Sequence, residues 1–287
     1  MKRYINQTPC VTSSLKYSDR LSEDGDWTGS FWTGMVAMAF AVTGDEGYFD
    51  YINGFYDFYK KRLDYGYKDH DLGFLYQLYS VNAYRMTNHM KYIDMSVDAA
   101  KALMCRYNER GGFIRAWDRL IKANCNGKII IDCMLNLPLL FCAAQMSGLD
   151  YMRKAAYNHA LATLNNVRED GSAYHTFNFD YVTGKPLNGE NEGGYSDNSC
   201  WSRGQAWGIY GFYLAWFHTG EEKFLSASMK LADYFIKNLG ENSMPKWDFL
   251  LDENAPGKDA IDTSAAAIAA CGLYDLAKVC VDKSEIY

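Results

Sequence analysis

Three short segments with a shared pattern constrain the fold of this chain most strongly. Each joins two stretches of periodic apolar residues through a glycine followed by acidic residues: Thr43-Gly44-Asp45-Glu46, Ser147-Gly148-Leu149-Asp150 and Thr219-Gly220-Glu221-Glu222. A glycine just past a helix accepts the left-handed conformation that ends it, and acidic residues favour the positive end of the next helix. Each segment is therefore predicted to be the turn of a helical hairpin.

The apolar periodicity along the chain is that of amphipathic helices. Apolar residues recur at three- and four-residue spacing in nine segments, namely 31–42, 48–63, 71–86, 91–106, 132–146, 150–165, 203–218, 222–238 and 263–280. Strand signals are weak, and the one short β-branched run lies at 128–131. The predicted fold class is all-α.

The two helices of each predicted hairpin differ in character. The first is more apolar or aromatic, as in 31–42 and 206–217, and the second is more charged. This asymmetry indicates an inner and an outer layer, as in an (α/α)6 barrel, a six-hairpin toroid whose connecting loops build the site. A stacked solenoid is the alternative, but the irregular repeats and the long Gly/Asn-rich inserts at 108–128 and 183–199 favour a barrel that carries a site.

The predicted domain organisation is a single toroid catalytic domain over residues 1–287. A closed ring of six hairpins needs twelve helices, and the sequence supplies nine or ten. An opening helix and the last helices are therefore expected to be missing, which would bear on stability and on activity.

Composition and charge exclude several classes of partner. The formal net charge is −6 and there is no Lys/Arg run, so neither nucleic acid nor an anionic membrane is expected to bind. No uninterrupted apolar stretch is long enough to span a membrane, and the start MKRYINQTPC lacks a signal-peptide core, so a cytoplasmic location is expected. The eight cysteines form no CxxC and the five histidines no HExxH, so no metal is expected.

Two segments place aspartates at the start of predicted helices. Asp71 ends Asp69-His70-Asp71 directly before an apolar helix, and Asp132 follows Ile131 at the start of a nearly wholly apolar one. Capping of the helix N-terminus is the ordinary role of aspartate there. The setting of Asp132 also predicts poor solvation of its carboxyl, which favours the protonated form that an acid catalyst needs, and a second aspartate nearby would add to this effect.

Arg203 and Trp207 lie four residues apart, so they share one face of a helix. A guanidinium there can pair with a carboxylate while the indole stacks on a sugar ring, and a surface cation–π pair is the alternative. The 23 tyrosines and seven tryptophans suit a sugar-binding cleft, although aromatic residues also fill cores. Taken alone, His175 and Trp32 are ordinary structural residues.

Five motifs in order carry a family resemblance: FWTGM, HDLGF, IDCMLNLPLL, CWSRGQAWGIYGF and DTSAAAIAACGL. From about Trp32 to Leu273 the chain resembles the unsaturated glucuronyl hydrolases of glycoside hydrolase family 88. The resemblance implies an (α/α)6 barrel without metal or organic cofactor. It implies the following site: Asp132 as catalytic acid/base, Asp71 as its partner, and Trp32, His70, His175, Arg203 and Trp207 as the lining of the sugar pocket.

The resemblance also implies a reaction. Its substrate would be an oligosaccharide whose non-reducing end is a Δ4,5-unsaturated uronic acid, made when a lyase cuts a glycosaminoglycan or a similar polymer, and water would add across the C4=C5 bond. The alternatives are an unsaturated rhamnogalacturonyl hydrolase, a conventional inverting glycosidase and, from another class, an inactive sugar-binding toroid. One departure stands out, because Gly193 occupies a position where the family usually has glutamine. One polar contact to the sugar is therefore expected to be lost or supplied elsewhere.

Overall fold

The computed structural model describes residues 12–13, 16–17, 26–66, 68–117, 126–240 and 242–287. Its helices are α1 (Gly29–Thr43), α2 (Glu46–Asn53), α3 (Tyr56–Tyr65), α4 (Leu72–Tyr76), α5 (Asn82–Thr87), α6 (Met90–Met104), α7 (Leu137–Ser147), α8 (Asp150–Thr163), α9 (Ser202–Thr219), α10 (Glu222–Lys237) and α11 (Thr263–Val279). A π-helical turn, Gln77–Val81, joins α4 to α5, and 3₁₀ helices span Ile131–Leu135, Leu164–Asn166 and Val281–Lys283.

Short strands accompany these helices. They are β1 (Thr12–Ser13), β2 (Lys16–Tyr17), β3 (Tyr107–Asn108), β4 (Phe113–Ile114), β5 (Lys128–Ile130), β6 (Thr176–Phe179) and β7 (Pro186–Glu190). β1 pairs with β2 and β3 with β4, and the remaining strands form an antiparallel sheet in the order β5-β6-β7. The strand predicted at 128–131 is confirmed as β5, whereas its partners β6 and β7 were not predicted.

The predicted helical segments are confirmed as helical, but three of them are not single α-helices. The segment 71–86 consists of α4, the π-helical turn and α5, and the segment 132–146 begins in the 3₁₀ helix Ile131–Leu135 and continues as α7. The segment 48–63 is two helices, α2 and α3, because the chain turns at Gly54 and Phe55. Glycine is a poor helix former, which suits a break at this point. Across the described helices, none combines the length and the apolar character that a membrane span requires.

The three predicted hairpin turns are confirmed. Gly44, Gly148 and Gly220 have φ of 67°, 73° and 72°, the left-handed conformation that ends a helix. Each glycine N–H donates to the carbonyl four residues earlier, at 2.8, 2.9 and 2.7 Å respectively. A fourth turn, between α5 and α6, uses Asn88 with φ of 56° in the same role.

A hydroxyl residue precedes the left-handed residue in all four turns. Thr219 shows the geometry: its hydroxyl donates to the Ala215 carbonyl at 2.6 Å and accepts the Glu221 N–H at 3.3 Å. Thr43, Thr87 and Ser147 make the equivalent pair of bonds. One side chain thus binds both a terminal carbonyl of the first helix and an N–H of the connection.

The described chain divides into two compact units. One contains residues 1–106 and 138–153, and the other contains residues 107–137 and 154–287. The organisation as a single toroid domain stays a prediction. The core of the first unit is rich in tyrosine: the buried rings of Tyr59 and Tyr79 stack with centroids 3.8 Å apart. Burial raises the pKa of Tyr59 to about 12, while its hydroxyl is hydrogen bonded to that of Ser30 at 2.7 Å.

In the second unit α9 packs against α10, α11 and the 3₁₀ helix Ile131–Leu135. Glycines on α9 permit this close approach. A Cβ placed on Gly211 would lie 2.3 Å from Met134 Cβ, and one on Gly208 would lie 2.8 Å from Ile131 Cδ1. Any side chain at these positions would push the 3₁₀ helix away. The glycine face of α9 therefore determines where the residues of this short helix lie.

Candidate active site

Strand pairing brings Asp132 next to His175. β5 pairs with β6 so that Ile130 lies opposite Thr176, and the Ile131 N–H donates to the His175 carbonyl at 2.9 Å. Asp132 follows directly in the 3₁₀ helix. His175 Nε2 lies 3.3 Å from Asp132 Oδ2, and both side chains are largely buried. The structure thus brings together two predicted site residues that are distant in sequence.

The second ring nitrogen of His175 binds the backbone. Its Nδ1 accepts the Gly193 N–H at 3.0 Å, and the Thr176 hydroxyl lies 3.2 Å from the same atom. A nitrogen that accepts an N–H must present a lone pair, so we assign the ring proton of the neutral imidazole to Nε2. The protonated nitrogen is thus the one that lies 3.3 Å from Asp132 Oδ2.

Asp132 Oδ2 is a buried carboxylate oxygen without a hydrogen bond among the described residues. It is buried, and although His175 Nε2 lies within ion-pair distance, the two atoms are not aligned as a hydrogen bond. This oxygen therefore has no hydrogen-bond partner in the described part of the chain. A buried carboxylate oxygen without a hydrogen bond is costly unless it binds a proton or meets a ligand. An acid catalyst uses both, since its carboxyl must carry a proton and must meet the substrate.

Arg203 is held firmly at the start of α9. Its guanidinium lies 4.7 Å from the ring centroid of Trp201, Nη1 donates to the Ser264 hydroxyl at 3.0 Å, and Nε lies 3.8 Å from Asp262 Oδ2. The side chain is still 34% exposed. A positive charge that is both fixed and accessible can bind the carboxylate of a substrate.

Trp207 was predicted from the sequence as a site residue, and Trp201 was not. Trp207, one turn after Arg203 on α9, is buried in the structure, and its role in stacking on a sugar stays a prediction. Trp201 was not singled out, yet its ring centroid lies 4.9 Å from that of the His175 imidazole and 4.7 Å from the Arg203 guanidinium. Its place two residues before Arg203 in the same motif was the available signal.

The first unit contains a second histidine–aspartate pair. His70 Nε2 lies 3.1 Å from Asp71 Oδ1, and the histidine side chain is 3% exposed. Asp71 precedes α4, but its side chain makes no capping hydrogen bond to that helix. The capping interpretation is therefore wrong for Asp71, because its carboxylate turns toward His70 instead.

No role was predicted from the sequence for Asp69, although it is adjacent to the pair of His70 and Asp71. Its Oδ1 accepts the Asp71 N–H at 2.8 Å. Burial, and then the negative charge of Asp71, raise the pKa of the Asp69 carboxyl above its usual range. Trp32, on α1 of the same unit, is oriented by its Nε1–H, which donates to the Tyr51 hydroxyl at 3.0 Å.

Comparison with known proteins identifies the family. A sequence profile described as Glycosyl Hydrolase Family 88 matches residues 2–278. The chain belongs to family 88. It is 37% identical over 271 residues to the unsaturated chondroitin disaccharide hydrolase of Streptococcus agalactiae, covering 90% of this chain and 65% of that protein. It is 36% identical over 289 residues to the unsaturated glucuronyl hydrolase of Bacillus sp. strain GL1, covering 99% and 75%. The chain thus spans 65% of the length of the streptococcal relative.

Solved structures of family 88 relatives have the same fold. The crystal structure of the unsaturated glucuronyl hydrolase from Bacillus sp. GL1 matches with a TM-score of 0.89 at 36% identity, covering 96% of this chain and 74% of that one. A mutant of the Streptococcus agalactiae unsaturated glucuronyl hydrolase complexed with dGlcA-GalNAc6S matches with a TM-score of 0.78 at 32% identity, covering 96% and 68%. The predicted fold class, an all-α (α/α)6 barrel, is confirmed by this likeness.

The departure from family 88 at Gly193 has a structural counterpart. A Cβ on this glycine would lie 2.8 Å from Cε3 of Trp201, so the indole ring occupies the space that a side chain would need. The backbone N–H of Gly193 is meanwhile bound to His175. Within the described ranges, no group of three or more His, Cys, Asp or Glu side chains is arranged to hold a metal ion.

Proposed function

We propose that this chain hydrolyses oligosaccharides whose non-reducing end is a Δ4,5-unsaturated uronic acid, by hydration of the C4=C5 bond. The observation that carries the proposal is Asp132: its buried Oδ2 has no hydrogen bond among the described residues and lies 3.3 Å from His175 Nε2. Membership of family 88 and the ligand dGlcA-GalNAc6S of a solved unsaturated glucuronyl hydrolase support the substrate class.

The first step is a proton transfer from Asp132 to C4 of the sugar. The double bond belongs to a vinyl ether, so protonation at C4 leaves the positive charge at C5, where the ring oxygen shares it. This step requires a protonated carboxyl, and Asp132 Oδ2 is buried without a hydrogen bond among the described residues. His175 Nε2–H, whose nitrogen lies 3.3 Å from Oδ2, then stabilises the negative charge left on Asp132.

Water then attacks C5. The oxygen of the water bonds to C5, and its proton passes to a carboxylate, either that of Asp132 or that of its proposed partner Asp71. The product is a hemiketal that opens to a ketone at C5, and the ring oxygen becomes a hydroxyl on C1. The resulting hemiacetal releases the remaining sugar. Catalysis thus differs from that of ordinary glycosidases, whose two carboxylates act at the anomeric carbon.

The remaining residues would bind and orient the substrate. Arg203 would bind the uronate carboxylate, because its guanidinium is fixed by Ser264 and remains partly exposed. Trp32 and Trp207 would stack on sugar faces, and His70 would orient Asp71 through their 3.1 Å contact. We also propose a cytoplasmic location, with which the free thiols of the six described cysteines agree.

The test follows the ultraviolet band of the conjugated unsaturated uronate while purified protein acts on unsaturated chondroitin and hyaluronan disaccharides. The band should disappear with the wild-type protein and persist with Asp132→Asn, which keeps the shape of the side chain but cannot donate the proton. Hydrolysis of saturated sugars instead would indicate a conventional glycosidase. Calorimetric binding without turnover by folded protein would indicate an inactive sugar-binding toroid.

A further inference from the structure

Asp248 is a buried carboxylate with four hydrogen bonds and no assigned role. Its Oδ2 accepts the Tyr195 N–H at 2.9 Å and the Ser199 hydroxyl at 2.6 Å. Its Oδ1 accepts the Cys200 N–H at 3.0 Å and the Leu250 N–H at 2.9 Å. The side chain is fully buried. Three of these donors belong to residues 195–200, the connection that leads into α9.

Burial of a carboxylate at this position has a high cost in desolvation free energy. An apolar side chain of similar size would bury without losing hydration, whereas a carboxylate needs its hydrogen bonds to offset desolvation. The four donors satisfy that need and in return fix the backbone that supplies them. We therefore attribute to Asp248 the conformation of the segment 191–200, hereafter the glycine loop.

Arg168 holds the glycine loop from its carbonyl side. The guanidinium donates to the carbonyls of Asn198 at 3.1 Å and Ser199 at 2.8 Å, and it stacks 4.0 Å from the ring centroid of Tyr174. The carboxylate of Asp248 thus binds N–H groups of the loop while the guanidinium binds its carbonyls. Side chains outside the loop determine its conformation on both sides.

The glycine loop bears directly on the candidate acid. Gly194 lies against Asp248, since a Cβ on it would be 2.7 Å from Oδ2. The preceding residue, Gly193, donates its N–H to His175 Nδ1 at 3.0 Å. Nε2 of that ring lies 3.3 Å from Asp132 Oδ2. A continuous series of contacts therefore joins Asp248 to Asp132.

We propose that Asp248 is a positioning residue that, through the Gly193 N–H, keeps the ring proton of His175 on Nε2, the nitrogen that lies 3.3 Å from Asp132 Oδ2. The N–H at Nδ1 excludes a proton from that nitrogen, so the single proton of the neutral ring is on Nε2, on the side of Asp132. If the loop moves, Nδ1 is released and the ring can take the other tautomer or a second proton. The catalytic part of this inference rests on the proposed function, whereas the state of the histidine does not.

The test uses Asp248→Asn in the full chain. An amide can still accept the N–H groups of Cys200 and Leu250, but its NH₂ then opposes the Tyr195 N–H and releases that part of the loop. Nitrogen NMR of ¹⁵N-histidine-labelled protein without ligand would report the imidazole, with the His175 signals assigned from their loss in His175→Gln. Wild type should show the Nε2–H form, and Asp248→Asn should show the other tautomer or the doubly protonated ring.

Kinetics supply the second readout. The loss of one positioning hydrogen bond should lower kcat about tenfold while KM changes much less, because the sugar-binding residues are untouched. The matched control is Asp252→Asn. Asp252 Oδ2 accepts the Tyr195 hydroxyl at 2.7 Å on the exposed side of the same loop, and Oδ1 accepts the Asn254 N–H at 2.9 Å, outside the loop. This control should leave both the His175 signals and kcat unchanged.

Each outcome decides one part of the inference. Unchanged His175 signals in folded Asp248→Asn would overturn it. Altered signals with unchanged kcat would overturn the catalytic part alone. If Asp248→Asn does not fold, Arg168→Gln releases the loop from its carbonyl side, and the same shift of the His175 signals is expected or the inference fails. If wild type turns over no unsaturated disaccharide, the proposed function fails, while the NMR comparison still tests the positioning of His175.

Discussion

The two histidine–aspartate pairs resemble each other in geometry and differ in how they are built. His70 and Asp71 are neighbours in the chain, and their contact is 3.1 Å. His175 and Asp132 meet at 3.3 Å only because β5 pairs with β6 and because Gly193 orients the ring. The first pair depends on local backbone, and the second depends on a sheet, a loop and the glycine face of α9. The proposed acid is thus the residue whose position needs the most support from the fold.

The electrostatic settings of the pairs differ as well. Asp71 has a second carboxylate beside it in Asp69, whose pKa is raised by burial and by the charge of Asp71. Asp132 has as its neighbour a histidine whose lone pair is occupied by a backbone N–H. We therefore expect the two aspartates to respond differently to the same substitution.

The largest expected effect separates the two aspartates directly. Asp132→Asn should lower kcat between about a hundredfold and ten-thousandfold, the range for loss of a general acid. Asp71→Asn should reduce kcat less, because Asp132 can itself accept the proton of the attacking water. Steady-state kinetics on an unsaturated disaccharide measure both. Equal losses would contradict the assignment of the acid to Asp132 alone.

A pair of glycine substitutions tests the support of Asp132 by α9. Gly211→Ala places a Cβ 2.3 Å from Met134 Cβ, and such overpacking should reduce the free energy of unfolding by about 1–3 kcal/mol and also lower kcat. Gly220→Ala meets no atom within 4 Å but forces alanine into a left-handed conformation, at a cost of about 1–2 kcal/mol. Urea unfolding and kinetics distinguish them, since only Gly211→Ala should impair turnover beyond its effect on stability.

Gly193→Gln restores the residue usual in the family, and it should not improve this protein. The new Cβ would lie 2.8 Å from Trp201 Cε3, so the indole or the loop must shift and the N–H bond to His175 must lengthen. We expect kcat/KM to fall. A rise in kcat/KM would show instead that the glutamine amide supplies a contact this chain lacks.

The smallest expected effect is a pH dependence of stability, caused by Asp69 beside the pair of His70 and Asp71. Because the pKa of Asp69 is raised in the folded state, the folded protein holds this proton more tightly than the unfolded chain does. This contribution to stability is present below the ordinary aspartate pKa and is lost as pH rises through the raised pKa. Thermal unfolding across the acidic range should show this loss in wild type, and Asp69→Asn should abolish it. An unchanged pH dependence in Asp69→Asn would contradict the assignment.

Much of the helical architecture could be predicted from the sequence because its signals are local. Gly44, Gly148 and Gly220 marked three hairpin turns, and the structure confirms them. The fourth turn was missed because Asn88 stands in place of glycine, and the feature that all four share is the hydroxyl residue before it. Asparagine tolerates the left-handed conformation better than most residues, so the combination of a hydroxyl residue and Asn was a usable signal.

The support of the site could not be predicted in the same way. β6 is only four residues long, and β7 contains proline, asparagine and glycine, which are depleted in strands, so the pairing that places His175 had no clear signal. Asp248 lies in an irregular segment, and its role depends on backbone N–H groups about fifty residues away. Motif resemblance identified the residues that would touch the sugar, but not those that hold them.

The hairpin turns also bear on the order of folding. α9 and α10 are joined by Gly220 and Glu221 alone, so their contact closes a very short loop and costs little chain entropy. The contact between Asp132 and His175 encloses a segment that contains all of α7 and α8. Local contacts generally form earlier than distant ones, so the helical hairpins should assemble first. The proposed catalytic acid would then acquire its histidine neighbour only in a late step, when β5 and β6 pair.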